Sequence, residues 1–458
     1  MWSNGVWRTV LSLLLFCQYG LSIDIEIGND ASIKKAASSL ARGLVRFYTG
    51  NATGMIPGLL PDPYFWWEAG AMFMTLVEYW SLTGDTTYNN ITTEALLHQI
   101  GDNDYLPSNQ SRTEGNDDQA FWAFAVLDAA EYNYPNPPPD KPSWLALAQS
   151  VFNQQASRWD TQHCGGGLRW QIFTWNNGYN YKNTISNSCF FQMGARLARY
   201  TGNQTYAELA EKAFDWLLDI KMIDDEYRVY DGGDVEDNCT NPTILEWTYN
   251  YGNLIAGSAY LYNFTNGSDV WGNHLTKLLD AVEVMYPEEY GGKILVEMAC
   301  EPAETCNVDQ PSFKAYFSRW LAIASQLAPF TRDRIRPLME TSAQGAAGQC
   351  TGGPQGEWCG RKWYEKVFDG LNGVGEQMSA LSVIQNLLID STRAPFTANT
   401  GGNSTGDPGA GSGGSGGGGG STSNLLTRPM TSADKGGAWF LMVLIMVLWS
   451  LAGWFMLS

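Results

Sequence analysis

Apolar residues recur every three to four positions through most of the span between residues 30 and 390, the spacing of a helix with one buried face. Twelve stretches can be separated on this basis. They lie at roughly 31–48, 64–82, 88–100, 117–132, 142–158, 184–200, 204–220, 247–264, 269–285, 312–328, 331–344 and 374–390. Extended segments with alternating polarity are few and short, so the pattern predicts an all-α body.

A punctuation recurs between these stretches. Leu82-Thr83-Gly84-Asp85-Thr86-Thr87-Tyr88 is echoed by Tyr200-Thr201-Gly202-Asn203-Gln204-Thr205-Tyr206, and more loosely by Phe264-Thr265-Asn266-Gly267-Ser268-Asp269. In each, a glycine suits the left-handed end of one helix, and an Asp, Asn, Ser or Thr suits the start of the next. One helical hairpin used several times is the signature of a stacked architecture. Six hairpins closed into a ring give an (α/α)6 barrel with inner and outer helices; an open α-solenoid is the alternative. The even-numbered stretches would be the inner ones. Their starting ends mix aromatics, amides and small residues, as in Phe65-Trp66-Trp67-Glu68-Ala69-Gly70 and Trp247-Thr248-Tyr249-Asn250-Tyr251-Gly252. The outer ones hold more Lys, Glu and Asp. One rim of the ring therefore collects rings and hydrogen-bonding groups, which is what a sugar needs.

The ends read differently. Residues 1–22 have Arg8, an apolar run from Val10 to Cys17 and small residues up to Ser22, the pattern of a secretory signal peptide. Ala438 to Leu457 has no charge and no basic flank follows it. With the polar spacer before it and the small residues Ser421, Thr422 and Ser423, it reads as a GPI-attachment signal over 424–458; a tail-anchored helix is the alternative. Residues 393–423 are dominated by Gly, Ser, Thr and Asn, and the composition predicts a flexible tether behind a body spanning 23–392. Eight N-x-Ser/Thr sequons, at Asn51, Asn90, Asn109, Asn203, Asn238, Asn263, Asn266 and Asn403, agree with a secreted, glycosylated chain at the outer face of the plasma membrane.

The formal net charge of −19 makes nucleic acid a poor partner. His98, His163 and His274 show no ligand spacing, so no metal or other cofactor is expected. Seven cysteines remain once Cys17 leaves with the signal. In an oxidising compartment the close pairs Cys300–Cys306 and Cys350–Cys359 read as local staples. Cys189 lies in an apolar run and reads as a buried thiol, which leaves Cys164–Cys239 as the third pair.

The candidate chemistry sits at Asn116-Asp117-Asp118. Two adjacent acids open an apolar helix, Gln119-Ala120-Phe121-Trp122. One acid suffices to cap a helix. A second beside it, backed by aromatics, costs desolvation and repulsion, which drives the two carboxyls toward different protonation states. A retaining glycosidase needs such a pair about 5–5.5 Å apart. Plain capping is the bland alternative. The acids Asp224-Asp225-Glu226 and Asp231 to Asp237 read as a solvated loop or a calcium site, with Asp231 the one to reach a cleft. Gly165-Gly166-Gly167 would let backbone approach that cleft near Trp170, and Glu376 would cap the last inner helix or line the site.

Trp66-Trp67-Glu68-Ala69-Gly70, Gly115-Asn116-Asp117-Asp118-Gln119-Ala120-Phe121-Trp122 and Thr248-Tyr249-Asn250-Tyr251-Gly252 together resemble glycoside hydrolase family 76, in its fungal, GPI-anchored branch. The resemblance implies an (α/α)6 fold and retaining action on α-1,6-linked mannose, with Asp117 as nucleophile and Asp118 as acid/base. It also implies a role in cell-wall assembly, in which the mannose core of a GPI anchor is cut and passed to wall glucan. Asn116, Trp66, Trp67, Asn187, Asp231, Tyr249 and Asn250 are the expected sugar-binding residues. A non-catalytic mannan-binding wall protein, and another (α/α) barrel enzyme such as a lyase or an inverting glycosidase, remain the competing readings.

Overall fold

The computed structural model describes residues 23–412 together with Met442. The expected signal peptide, the later part of the tether, Ser421–Ser423 and the attachment signal lie outside the described residues. Twelve α-helices are found among the described residues: α1 (Asp30–Val45), α2 (Trp66–Thr83), α3 (Asn89–His98), α4 (Asn116–Glu131), α5 (Trp144–Ser157), α6 (Thr184–Thr201), α7 (Gln204–Asp219), α8 (Thr248–Phe264), α9 (Asp269–Ala281), α10 (Phe313–Leu327), α11 (Arg332–Gln349) and α12 (Val374–Gln385). Each falls on one of the twelve periodic stretches.

The helices close into a ring. α2 packs on α4, α4 on α6, α6 on α8, α8 on α10, α10 on α12, and α12 returns to α2. The odd-numbered helices lie outside them, which makes an (α/α)6 barrel and not an open solenoid. Burial follows the same division. Every residue of α4 from Gln119 to Glu131 is buried, whereas α7 buries Tyr206, Ala207, Ala210, Ala213, Phe214 and Leu217 along one stripe.

The expected turns form at Gly84 and Gly202, which cap α2 and α6 with φ of 78° and 75°. Only glycine takes that left-handed conformation without strain. Asn203 and Ser268 cap the following helices by accepting from Thr205 N and Val270 N. The third copy differs. α8 ends at Phe264, and both Asn266 and Gly267 turn left-handed. In the first copy Asp85 instead closes its own turn on Thr87, and α3 starts four residues later.

Two short ribbons shape the rim. β1 (Tyr181–Asn183) pairs antiparallel with β2 (Gly232–Asp234), with Asn183 opposite Gly232. β3 (Cys350–Gly352) pairs with β4 (Trp358–Cys359). The disulfides are Cys164–Cys239, Cys300–Cys306 and Cys350–Cys359, and Cys189 is a buried thiol, as expected. The eight sequon asparagines are all exposed.

The body does not stop at residue 392. Residues 393–412, expected as tether, run over the outer face near α4, α5 and α6. Phe396 N donates to Glu131 O, Leu145 N to Ser404 Oγ, Asp407 N to Gln149 Oε1, and Asn153 Nδ2 to Ala410 O. The composition concealed this because the strap is held largely through its backbone by Asn, Gln and Ser side chains, with few apolar anchors of its own beyond Ala394 and Pro395.

Deep in the barrel each inner helix contributes to one buried polar network. Arg196 on α6 donates to Asp128 and Glu131 on α4, at 2.6 and 2.8 Å. Tyr260 on α8 donates to Glu131. Arg319 on α10 reaches Glu78 on α2 at 3.0 Å, and Gln385 on α12 donates to the same Glu78. Removing one member of a buried ion cluster leaves its partners charged and dry. Arg196→Met should therefore lower unfolding free energy by about 3–5 kcal/mol in urea titrations. A loss under about 1 kcal/mol would show that the network does not hold the ring.

Candidate active site

Four inner helices, α2, α4, α8 and α10, and the residue that caps α6 meet at one end of the barrel, where with the adjoining loops they enclose a hollow of about 190 Å³. Its lining comprises Trp67, Asp117, Asp118, Phe121, Trp170, Tyr181, Asn183, Asp231, Tyr249, Asp309 and Phe313. An outer cleft of about 520 Å³ continues from it past Phe65, Trp66, Glu114, Gln171 and Trp247. Four carboxyls thus face the hollow, and none of its described lining residues is Lys or Arg.

Asp117 and Asp118 occupy the second and third positions of α4. Gly115 precedes the helix, and its N–H donates to Asp118 Oδ2 at 2.6 Å. Asp118 is therefore a helix cap and a wall of the hollow at once: one oxygen closes the helix end, and the side chain still faces the space. Backbone pairing fixes this entrance, because Asn116 N donates to Trp170 O and Gly115 bridges Gln171. Gly115 has no room for a side chain, since a methyl group there would overlap Asp117 Oδ1 and press on Trp170.

Burial pushes both carboxyls up, each for want of water to solvate its charge. Asp118 rises to about 7, with the Gly115 N–H opposing the rise and Asp309 adding to it. Asp117 rises further: burial is the larger cause and the neighbouring Asp118 charge the second, partly countered by backbone N–H groups and Asn183. Asp117 Oδ1 has no hydrogen-bond partner. Both carboxyls are thus held toward their protonated forms, and the pair loses its protons in two separate steps. Phe121 contributes the apolar wall; Trp122 points away and packs with Trp66, Phe73 and Tyr105 in the core.

Of the expected sugar-binding residues, Trp67, Asp231 and Tyr249 line the hollow. Tyr249 stacks on Phe313 with centroids 3.8 Å apart, and Tyr181 Oη donates to Asp231 at 2.7 Å. Trp66 reaches only the outer cleft, its indole N–H spent on Gln99. Three amides do not reach the hollow. Asn116 is buried, donating to Arg169 O and accepting from Arg158. Asn187 clamps Leu168 and Asn183 O. Asn250 is fully buried in the barrel interior. All three are placed by helical phase, which a motif read as a string does not show.

The glycine run 165–167 also turns out otherwise, packing against Trp159 and Trp216 while Gly166 O accepts from Lys182. Glu376 is tied to Arg361. Asp224 spends its oxygens on Arg228 and Tyr230. Sequence reading missed Asp309, which lies in the loop four residues ahead of α10. It also missed Tyr181 and Asn183, which β1 delivers to the hollow, and the Cys164–Cys239 bond ties that ribbon region to the loop before it.

With this geometry in hand, the likeness to known proteins is specific. The family model described as Glycosyl hydrolase family 76 matches residues 32–399. The chain belongs to glycosyl hydrolase family 76. It is 48% identical to mannan endo-1,6-alpha-mannosidase DCW1 of Saccharomyces cerevisiae over 94% of each chain. Dfg5 of Chaetomium thermophilum, solved in complex with glucosamine, is 46% identical with a TM-score of 0.81, covering 84% of this chain and 97% of that one. The GH76A alpha-1,6-mannanase of Salegentibacter sp. HEL1_6 shares the fold at 20% identity, with a TM-score of 0.62 over 78% of this chain and 98% of that one. The rim geometry of this family 76 chain has a titration consequence. Asp118 near 7, and Glu68 and Glu297 near 8, all sit above their ordinary values because they are buried. Each therefore stabilises the fold fully below about pH 4, and that contribution is lost as the pH rises through 7 to 8. The melting temperature should fall between pH 6.5 and pH 8, and fall less in Glu297→Gln. A melting temperature that rises across this window contradicts the burial of these groups as charged-form penalties.

Proposed function

We propose that this chain is a retaining endo-α-1,6-mannosidase or transglycosidase, with Asp117 and Asp118 as its reacting pair. The observation that carries the reading is two adjacent, partly buried carboxyls facing a hollow walled by Trp67, Trp170, Tyr249 and Phe313. Aromatic faces take the C–H surface of a pyranose, while Asn183, Tyr181 and Asp231 offer hydrogen bonds to its hydroxyls. In this reading Asp117 attacks the anomeric carbon while Asp118 gives its proton to the departing glycosidic oxygen. A water or a sugar hydroxyl then attacks the glycosyl-enzyme, Asp118 takes the proton back, and Asp117 leaves as a carboxylate.

That order requires a proton on Asp118 and a charge on Asp117, whereas burial raises both carboxyls. A bound sugar supplies the shift. The glycosidic oxygen offers Asp118 a hydrogen-bond acceptor, and positive charge developing at the anomeric carbon favours the ionised form of Asp117. In the Salegentibacter mannanase, inactive variants crystallised with α-1,6-mannotetrose and mannotriose have two consecutive aspartates replaced.

A GPI-anchor glycan is favoured as donor over plain mannan by the charge of the hollow. Four carboxyls without a lining cation suit a glycan bearing an amine, and the Chaetomium relative was solved with glucosamine. The acceptor would be wall glucan, and the place of action the outer face of the plasma membrane and the cell wall. The terminal apolar segments, the exposed sequons and the disulfides support that location.

Mass spectrometry of products from a defined α-1,6-mannotetraose and a defined GPI glycan, with and without a β-glucan acceptor, tests donor, linkage and transfer together. Wild type should cut α-1,6 bonds and, with acceptor present, yield a mannosylated glucan. Asp117→Asn and Asp118→Asn should each lower turnover by about 10³-fold or more with the far-UV CD spectrum kept. Undiminished turnover in either variant removes that residue from the mechanism. Cleavage without any glucan adduct makes the protein a hydrolase only.

A further inference from the structure

Eight glutamates are buried among the described residues: Glu68, Glu78, Glu114, Glu131, Glu297, Glu301, Glu357 and Glu376. Seven have a protein partner. Glu68 accepts from Phe65 N, Glu297 from Thr248, and the other five pair with Arg or Lys. Glu114 is the exception. Its side chain is buried at 1% exposure, and neither Oε1 nor Oε2 has a hydrogen-bond partner. Arg158, the nearest cation acting on it, donates instead to Asn116 and Gln119.

A dry, unpartnered carboxyl is costly, on the order of 1–3 kcal/mol even when neutral. The backbone nonetheless holds it there. Glu114 O accepts from Ile172 N, and the adjoining Gly115–Gln171 bridge fixes the segment that leads into α4. Glu114 lines the outer cleft beside Trp66, Asp118, Trp170 and Gln171. Its partner therefore comes from the cleft. Burial and the Asp118 charge both keep its proton on, so it offers one O–H donor and one C=O acceptor. Neighbouring hydroxyls of a sugar ring complement such a pair.

We propose that Glu114 is a substrate-binding residue, holding hydroxyls of the sugar unit that lies in the outer cleft next to the one in the hollow. This rests on the mannosidase reading. The test compares wild type, Glu114→Gln and Glu114→Leu on α-1,6-mannotetraose, which fills both regions, and on α-mannosyl fluoride, which fills only the hollow. Glu114→Gln keeps a donor and an acceptor and should stay within about threefold of wild type on both substrates. Glu114→Leu should raise KM for the tetraose about tenfold, with turnover of the fluoride unchanged and the melting temperature raised, since the unpartnered carboxyl is gone. Unchanged KM for the tetraose in Glu114→Leu would make Glu114 a filler of the wall. Equal losses on both substrates would assign it to tuning Asp118. A loss in Glu114→Gln as large as in Glu114→Leu would mean the charge is what matters. Failure of wild type to cleave either substrate would instead overturn the mannosidase reading itself.

Discussion

The inner helices of the ring start at the same end of the barrel, and much of the structure follows from that constraint. A helix start presents unsatisfied N–H groups and the positive end of its dipole. Five such starts converge on the hollow, at Trp67, Asp117 with Asp118, Asn183, Tyr249 and the Asp309–Phe313 turn. Acids are therefore tolerated there without lining cations. Deeper along the same helices lie the buried arginines, Arg196 and Arg319, each held by carboxylates of other inner helices. Between the two lies an aromatic layer in which Phe121, Trp67 and Tyr316 touch with centroids 4.7–5.9 Å apart. It separates the carboxyls of the rim from the ion network beneath, and keeps the bottom of the hollow dry.

Dryness is what turns a capping motif into chemistry. Asp118 does the ordinary work of a helix cap with one oxygen. Because burial leaves its charge poorly solvated, the same carboxyl holds its proton to about 7, within the range useful to an acid at neutral pH. Asp117, its chain neighbour with an unpartnered oxygen, is pushed up as well, by burial and by the Asp118 charge. A pair in this state responds to charge appearing at a bound sugar, since little else in the site can. Asp309 and Glu114 extend the same logic outward, as carboxyls whose environment leaves them oriented toward the ligand.

Much of this was legible in the sequence. The twelve periodic stretches and the Gly84 and Gly202 turns define the ring, because local caps and global topology agree there. The disulfide pairs were legible for a related reason: two were short loops, and the third was left by elimination. The Asp117–Asp118 pair stood out because two acids at one helix start exceed what capping needs. What stayed hidden depends on phase and on long-range pairing. Asn116 and Asn250 lie beside residues that line the hollow, yet each points into the packing, a difference of one helical step, while Asn187 lies a turn beyond Asn183 and is spent on the Leu168 backbone. Tyr181 and Asn183 arrive by a ribbon with Gly232–Asp234, some 50 residues on, that has no local signal. Residues 393–412 read as a tether because their anchoring lies in the backbone and in partners elsewhere in the chain.

The central claim is that Asp117 and Asp118 act as nucleophile and acid/base, flanking the scissile bond of an α-mannoside. Proton NMR of the anomer first released from a defined α-1,6-mannooligosaccharide tests this most directly. Retention through a glycosyl-enzyme predicts the α-anomer first, followed by slow mutarotation toward the β-form. Initial release of the β-anomer would require a water between the carboxyls in place of a covalent bond to Asp117, and would contradict the account.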